Sequence, residues 1–399
     1  MSSLKLIAEN EPPLASQPSE LETNGQTSRA MLPALTGVRA IAMYLVFFHH
    51  FNPPESATGS FVRGLIKEGH LGVTMFFVLS GFLIAYRYSE SLKLDWKDFS
   101  HYVWNRFARI YPLYFLLLIP TLLLSGERRG SHWFFHLTFT KGFFDEFKFT
   151  GIAQAWSLAA EECFYILAPL FFWGMRSRFR AWVLPSCYGI AAALLLLGST
   201  IKYHQFFGNA GFVCSYTFFG RAFEFLLGAW IATNLPRMEV LRSLPGKTYM
   251  GLIGIIAALA ILDGLKVPGQ YALGVLNPRG ILVNNWFAPL AIGLFYVGLI
   301  QERTLVQRLF CSRLFQILGK SSYAYYLIHI GFISKFYAER LQGVSFFLAL
   351  NVTAIVIFLI VEEPIQRFLR NRFRSDAPEK ASAMFPLPSN SELKSRAAA

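Results

Sequence analysis

Charge is scarce in this chain: only 15% of its 399 residues are Asp, Glu, Lys or Arg, against 54% hydrophobic residues and a mean hydropathy of +0.40. A single soluble globule rarely shows that balance, which excludes an ordinary water-soluble enzyme and leaves a polytopic membrane protein. Cysteine is scarcer still. Cys163, Cys187, Cys214 and Cys311 stand singly in or beside apolar stretches, with no CxxC pair and no Cys/His spacing suited to a metal. They read as packing residues, and no metal is expected. No apolar core follows a basic amino terminus, so no cleaved signal peptide is expected. There is also no repeat of fixed period and no inter-helix loop above about thirty residues, the size below which a self-standing domain does not form. Chemistry must therefore take place within the membrane or at its faces.

Long apolar runs are what the chain has instead. They recur near 33–51, 70–88, 108–125, 155–174, 181–200, 211–233, 248–265, 281–300, 315–334 and 344–366, each long enough to span a bilayer as a helix. The expected fold is all-α, a bundle of about ten transmembrane helices. The aromatic stretch Trp133 to Phe149 carries Lys141, Asp145 and Glu146 and reads as a re-entrant or interfacial segment. Residues 1–30 and 371–399 are polar and read as disordered tails around a membrane domain at 31–370.

The net charge of +13 could suggest nucleic acid, but the basic residues are scattered through the loops. Alternate loops and both tails hold 23 Lys and Arg against 11 in the opposite set, which the positive-inside rule explains better. Both termini are then cytoplasmic, in a bacterial inner membrane on the simplest reading, and the end of the first span, with His50, lies toward the far side.

The best lead to chemistry is Arg39 and His50, eleven residues apart in one apolar run. On a helix they share a face about 16 Å apart, and an ionisable pair in hydrocarbon needs a reason. His49 lies about 100° around the helix from His50, out of line with Arg39, so His50 is preferred. Asn52-Pro53-Pro54 stops the helix just beyond.

Five further segments carry polar groups. In Phe76 to Leu83, Ser80-Gly81 reads either as tight helix packing or as a narrow path for a ligand chain. Arg106, Arg109 and Tyr111 open the third span. Two guanidinium forks on one face suit phosphate oxygens, although simple interfacial anchoring would place arginines there too. Glu161 and Glu162 open the fourth span. Being adjacent they point in different directions, so one, assigned as Glu162, turns inward, where it could orient His50 as in acyl-transfer triads. Arg221 and Glu224 are spaced to neutralise each other. His329, in Tyr325-Tyr326-Leu327-Ile328-His329, reads on its own as a hydrogen-bonded core histidine, and Glu362-Glu363 as partners of nearby arginines.

Taken in order, these segments resemble the acyltransferase 3 family of integral-membrane acyltransferases over roughly residues 30–366. The first-helix pattern appears as Leu35-Thr36-Gly37-Val38-Arg39-Ala40-Ile41-Ala42, then Val46 and His50. Phe76 to Leu83, Arg106/Arg109-Tyr111-Pro112, Trp156-Ser157-Leu158 with Glu161-Glu162, Arg221 to Gly228 and Tyr326 to His329 follow. The resemblance implies transfer of an acyl group, commonly acetyl, from cytosolic acyl-CoA (acetyl-CoA first) to a hydroxyl of a polysaccharide or lipid-linked sugar of the cell envelope, an O-acetylation. It implies His50 as the catalytic histidine and Arg39 as the essential arginine. Many relatives have Asp where Thr36 stands, so a scheme using that carboxylate does not carry over. Some relatives append a soluble esterase-like domain, and none is expected fused here. The rival class is a transporter or flippase, in which buried Arg, Glu and His mark a substrate path. A scaffold would leave Arg39 and Arg221 unexplained.

Overall fold

The computed structural model describes residues 32–92, 95–238, 243–267 and 273–372. Among the described residues there is no β-strand, and the chain is a succession of helices. The principal ones are α1 (Pro33–His50), α2 (Leu71–Tyr88), α3 (Trp96–Leu124), α4 (Trp156–Arg176), α5 (Val183–Thr200), α6 (Ala222–Asn234), α7 (Lys247–Gly264), α8 (Ala288–Gln301), α9 (Ser322–Ile328), α10 (Gly343–Ile357) and α11 (Glu363–Arg372). Local chemistry fixes their ends. Pro33 opens α1, where its missing N–H costs nothing. Asp95 caps α3 by accepting from the Asp98 amide at 2.9 Å. The tail expected at 1–30, and the carboxy-terminal one beyond Arg372, lie outside the described residues.

Among the described residues seven helices are long and apolar enough to cross a membrane: Ser60–Tyr88, Trp96–Leu124, Ala153–Arg176, Arg180–Thr200, Lys247–Gly264, Pro278–Gln301 and Gly343–Arg372. The protein is an integral membrane protein whose described residues are mostly helical, and helix length and hydropathy account for seven of the roughly ten expected spans. The other three expected spans differ for one reason, the polar groups they carry. Helix α1 has 18 residues, and Arg39, His49 and His50 among them dilute its hydropathy. The run at 211–233 breaks between Ala210–Tyr216 and α6, next to Arg221. The run at 315–334 becomes Arg313–Lys320, α9 and Phe332–Ala338, with Gly331 in the positive-φ region (φ 118°) at the second break.

Broken helices at membrane depth persist only where protein groups satisfy the freed backbone. Gln154 does so here, its Nε2 donating to the carbonyls of Tyr326 (3.1 Å), Leu327 (2.8 Å) and Ile330 (3.3 Å). Close approach of α2 and α6 needs glycine: a Cβ on Gly81 would collide with the Phe225 carbonyl, and one on Gly228 with the Val78 carbonyl. Phe225 stacks on Phe77 (4.5 Å) and Phe164 (4.9 Å), which ties α4 to the same seam. The stretch 133–149 is no span. It folds as a short helix, Gly130–Leu137, and two helical turns, and it buries Lys141, whose Nζ donates to the carbonyls of Thr150 and Ile152, each at 2.9 Å.

Candidate active site

Polar residues of α1 to α4, α9, α11 and the π-helical turn before α11, buried or half-buried, stand in a series of short contacts. At its middle, Arg39 Nε donates to Ser322 Oγ (3.1 Å), and its guanidinium carbon lies 5.9 Å from the Phe76 ring centre. Glu161 is the hub beside it. Ser80 Oγ donates to Glu161 Oε1 and the Tyr165 hydroxyl to Oε2, both at 2.9 Å. The carboxylates of Glu161 and Glu362 both act on Arg39 electrostatically and offset part of the cost of burying this guanidinium beside Arg109. Glu161 and Tyr165 are spaced i,i+4 on one face of α4, a signal the sequence carried. Adjacent residues of α2 thus divide two jobs, with Gly81 packing against α6 and Ser80 turned to Glu161.

Toward the start of α3, Arg106 lies over the rings of Tyr88 (5.6 Å) and Tyr165 (5.9 Å). Its Nε is buried without a hydrogen-bond partner among the described residues. Arg109 is ion-paired with the buried Glu362 and lies 5.7 Å from the Tyr323 ring centre. A π-helical turn, Phe358–Glu362, directs Glu362 inward, while Glu363 pairs outward with Arg367 at 2.6 Å. Tyr111 and Glu162 meet at 3.5 Å, and Glu162 is buried with its other oxygen unpartnered. The sequence did not single out Arg370. Its Nε is likewise buried and unpartnered, and α11 is held on α3 by Trp104 Nε1 donating to the Leu369 carbonyl (3.1 Å).

At the other end the site is made of imidazoles. His50 is exposed, with the rings of His49 at 4.7 Å and His329 at 5.4 Å. His49 is bonded through Nδ1 to the Lys67 carbonyl. His70 lies 5.5 Å from His49 and 3.3 Å from the buried Glu68. Among the described residues no carboxylate is hydrogen-bonded to His50: Glu161 bonds Ser80 and Tyr165, Glu162 meets Tyr111, and a histidine ring stands beside His50. Arg39 and His50 do share one face of α1, and the same neighbouring segment meets both, through Ser322 and His329. Seven residues separate these two, which places them on one face of α9 and its cap.

Arg221 and Glu224 stand apart from this series as the expected self-neutralising pair, 2.8 Å apart and buried, with Arg221 also donating to Thr74 Oγ1 (2.8 Å) and the Ser215 carbonyl (3.2 Å). That satisfies the guanidinium within the fold and gives it a structural role. No group of His, Cys, Asp and Glu among the described residues is arranged to hold a metal ion.

The structure is thus a helical membrane bundle with broken helices, in which Arg, Glu, Tyr and His side chains cluster between the helices. The family model described as an acyltransferase domain, Acyl_transf_3, matches residues 32–362, and the chain belongs to that family. Among curated proteins it is similar to the O-acetyltransferase OatA of Staphylococcus aureus strains NCTC 8325 / PS 47 and COL, each 26% identical over 371 residues, covering 84% of this chain and 57% of the relative. The chain thus spans little more than half the length of these relatives. No solved structure matches it.

Proposed function

We propose that residues 31–370 form an O-acyltransferase that moves an acyl group, acetyl first, from acyl-CoA to a hydroxyl of a cell-envelope glycan, glycolipid or related small acceptor. The observation that carries this reading is that Arg39 and His50 share one face of α1 and both meet the segment 322–329, through Ser322 and His329. Family membership and the names of the relatives support it. The chain lies in a bacterial inner membrane with both termini cytoplasmic, as its loop charges suggest. The donor phosphates then meet Arg106 and Arg370, whose Nε atoms are buried and unpartnered. Arg109 is ion-paired with Glu362 through one nitrogen, so it ties α3 to the segment before α11 while its remaining N–H groups stand near the same donor end.

In direct transfer His50 takes the proton of the acceptor hydroxyl as its oxygen attacks the thioester carbon. The C–S bond breaks, and the CoA thiolate leaves and is protonated. In the two-step form His50 carries the acyl group between donor and acceptor. In either form Arg39, about three helical turns from His50, is too far to touch the carbonyl that reacts there, and it serves as the fixed positive charge beside the path of the donor. Incubating membranes with acetyl-CoA labelled in the acyl group tests the proposal. Label on glycan or lipid that requires His50 supports it. No label, with no CoA release from propionyl-, succinyl- or longer acyl-CoA in the presence of envelope extract, favours a transporter or flippase.

A further inference from the structure

His329 is a histidine of the cluster that the family-level reading leaves without a task, and its surroundings are specific. It is buried, 1% exposed, at the carboxy-terminal cap of α9. Its Nδ1 lies 2.7 Å from the Tyr326 carbonyl. A carbonyl only accepts, so Nδ1 carries the proton, and in the neutral ring Nε2 is left with a lone pair. That Nε2 is buried and meets no hydrogen-bond donor among the described residues. The ring faces His50 at 5.4 Å between centres, tilted by 36°. The break around Gly331 holds this geometry, because the Tyr326 carbonyl is fixed from its other side by Gln154. A buried acceptor without a donor costs free energy, and an exposed imidazole beside it can supply the N–H by turning about its side-chain bonds.

We infer that His329 is a positioning residue: its Nε2 accepts the N–H of His50 and so leaves the second nitrogen of His50 free to take a proton or an acyl group. This rests on the reading of His50 as the catalytic base. The arrangement is the logic of a hydrolase triad with a histidine in place of the carboxylate, its tautomer set by a main-chain carbonyl. The other histidines near His50 are held differently: His49 is bonded to the Lys67 carbonyl, and His70 packs on His49 with its Nε2 3.3 Å from a carboxylate oxygen of Glu68. The ring of His329 packs directly on His50, has its tautomer set by a main-chain carbonyl and keeps its Nε2 buried without a partner among the described residues.

Two substitutions separate the atoms involved. His329→Asn puts an amide N–H where Nδ1 was and keeps the bond to Tyr326, but removes the Nε2 acceptor. His329→Gln puts an amide oxygen near the Nε2 position. Measured beside His50→Ala in the full-length chain, with acetyl-CoA as donor, His329→Asn is expected to lower kcat at least about tenfold. Its KM for acetyl-CoA and its unfolding temperature in detergent should stay close to wild type, and His329→Gln should recover much of the loss. A merely structural role predicts the opposite order, with Asn active and Gln impaired in folding. Full activity of His329→Asn beside an inactive His50→Ala overturns this inference alone. Full activity of His50→Ala overturns the catalytic reading and the inference with it.

Discussion

Arg39 and Ser322 are joined by a 3.1 Å hydrogen bond between α1 and α9, and one α9 residue cluster further along His329 meets His50 of the same two elements. The two contacts fix the register of α1 against the broken helix. They also hold the guanidinium and the imidazole on one face of α1, about three helical turns apart.

Arg39→Ala and His50→Ala are therefore expected to lower acyl transfer by at least about 10²-fold, with membrane insertion and expression unchanged. Arg39→Lys tests charge against geometry. Lysine keeps the charge but loses the guanidinium Nε that bonds Ser322, so it should remain strongly impaired. Near-normal turnover in Arg39→Lys would show that only the charge matters.

Arg370→Ala and Arg106→Ala should each raise KM for acyl-CoA by about tenfold, the size of one charge-assisted hydrogen bond, with a smaller effect on kcat. Titration of initial rate against donor concentration in membranes measures both. An Arg370→Ala enzyme with wild-type KM would remove Arg370 from the donor site.

Arg109 is expected to behave differently, because its partner Glu362 is buried. Arg109→Met leaves that carboxylate without its cation and should destabilise the fold by about 3–5 kcal/mol, read as a lowered unfolding temperature in detergent. The double change Arg109→Met with Glu362→Leu removes both charges and should recover most of the loss. A double variant as unstable as the single one would mean that the pair is not coupled.

How far the sequence carries is clearest at these residues. The one-face relation of Arg39 and His50 follows from helical periodicity alone, as does the Arg221–Glu224 pair, since both lie within one element. The seven long spans were equally legible from apolar run length. What sequence could not supply were contacts between elements: Glu362 reaching Arg109 across 253 positions, Ser322 reaching Arg39 across 283, or His329 standing where a carboxylate was expected. The three spans that differ from a simple count did so because run length ignores where polar side chains favour a break.

The α2–α6 seam gives a structural test. Gly81→Val and Gly228→Val each put a side chain into a facing main-chain carbonyl, and overpacking of a tight seam costs about 1–3 kcal/mol or more. Both should lower the unfolding temperature, whereas Gly130→Val, which meets open space, should not. Equal stability across the three would contradict the close approach.

The loop between α3 and α4 makes stability depend on pH through Lys141. Burial pushes its ammonium down from the ordinary 10.5 to about 7, and no carboxylate offsets this. The unfolded chain therefore binds one more proton than the folded one between those two values, so stability rises as pH increases through that window and is lowest below it. His136, pushed down to about 3 by burial and by Lys141, titrates at lower pH and does not obscure the effect. Thermal unfolding in detergent from about pH 7 to pH 10 should show wild type gaining relative to Lys141→Met, whose side chain has no proton to lose. Parallel curves for the two proteins would mean that Lys141 keeps its ordinary affinity for the proton and reaches solvent from its place beneath the loop.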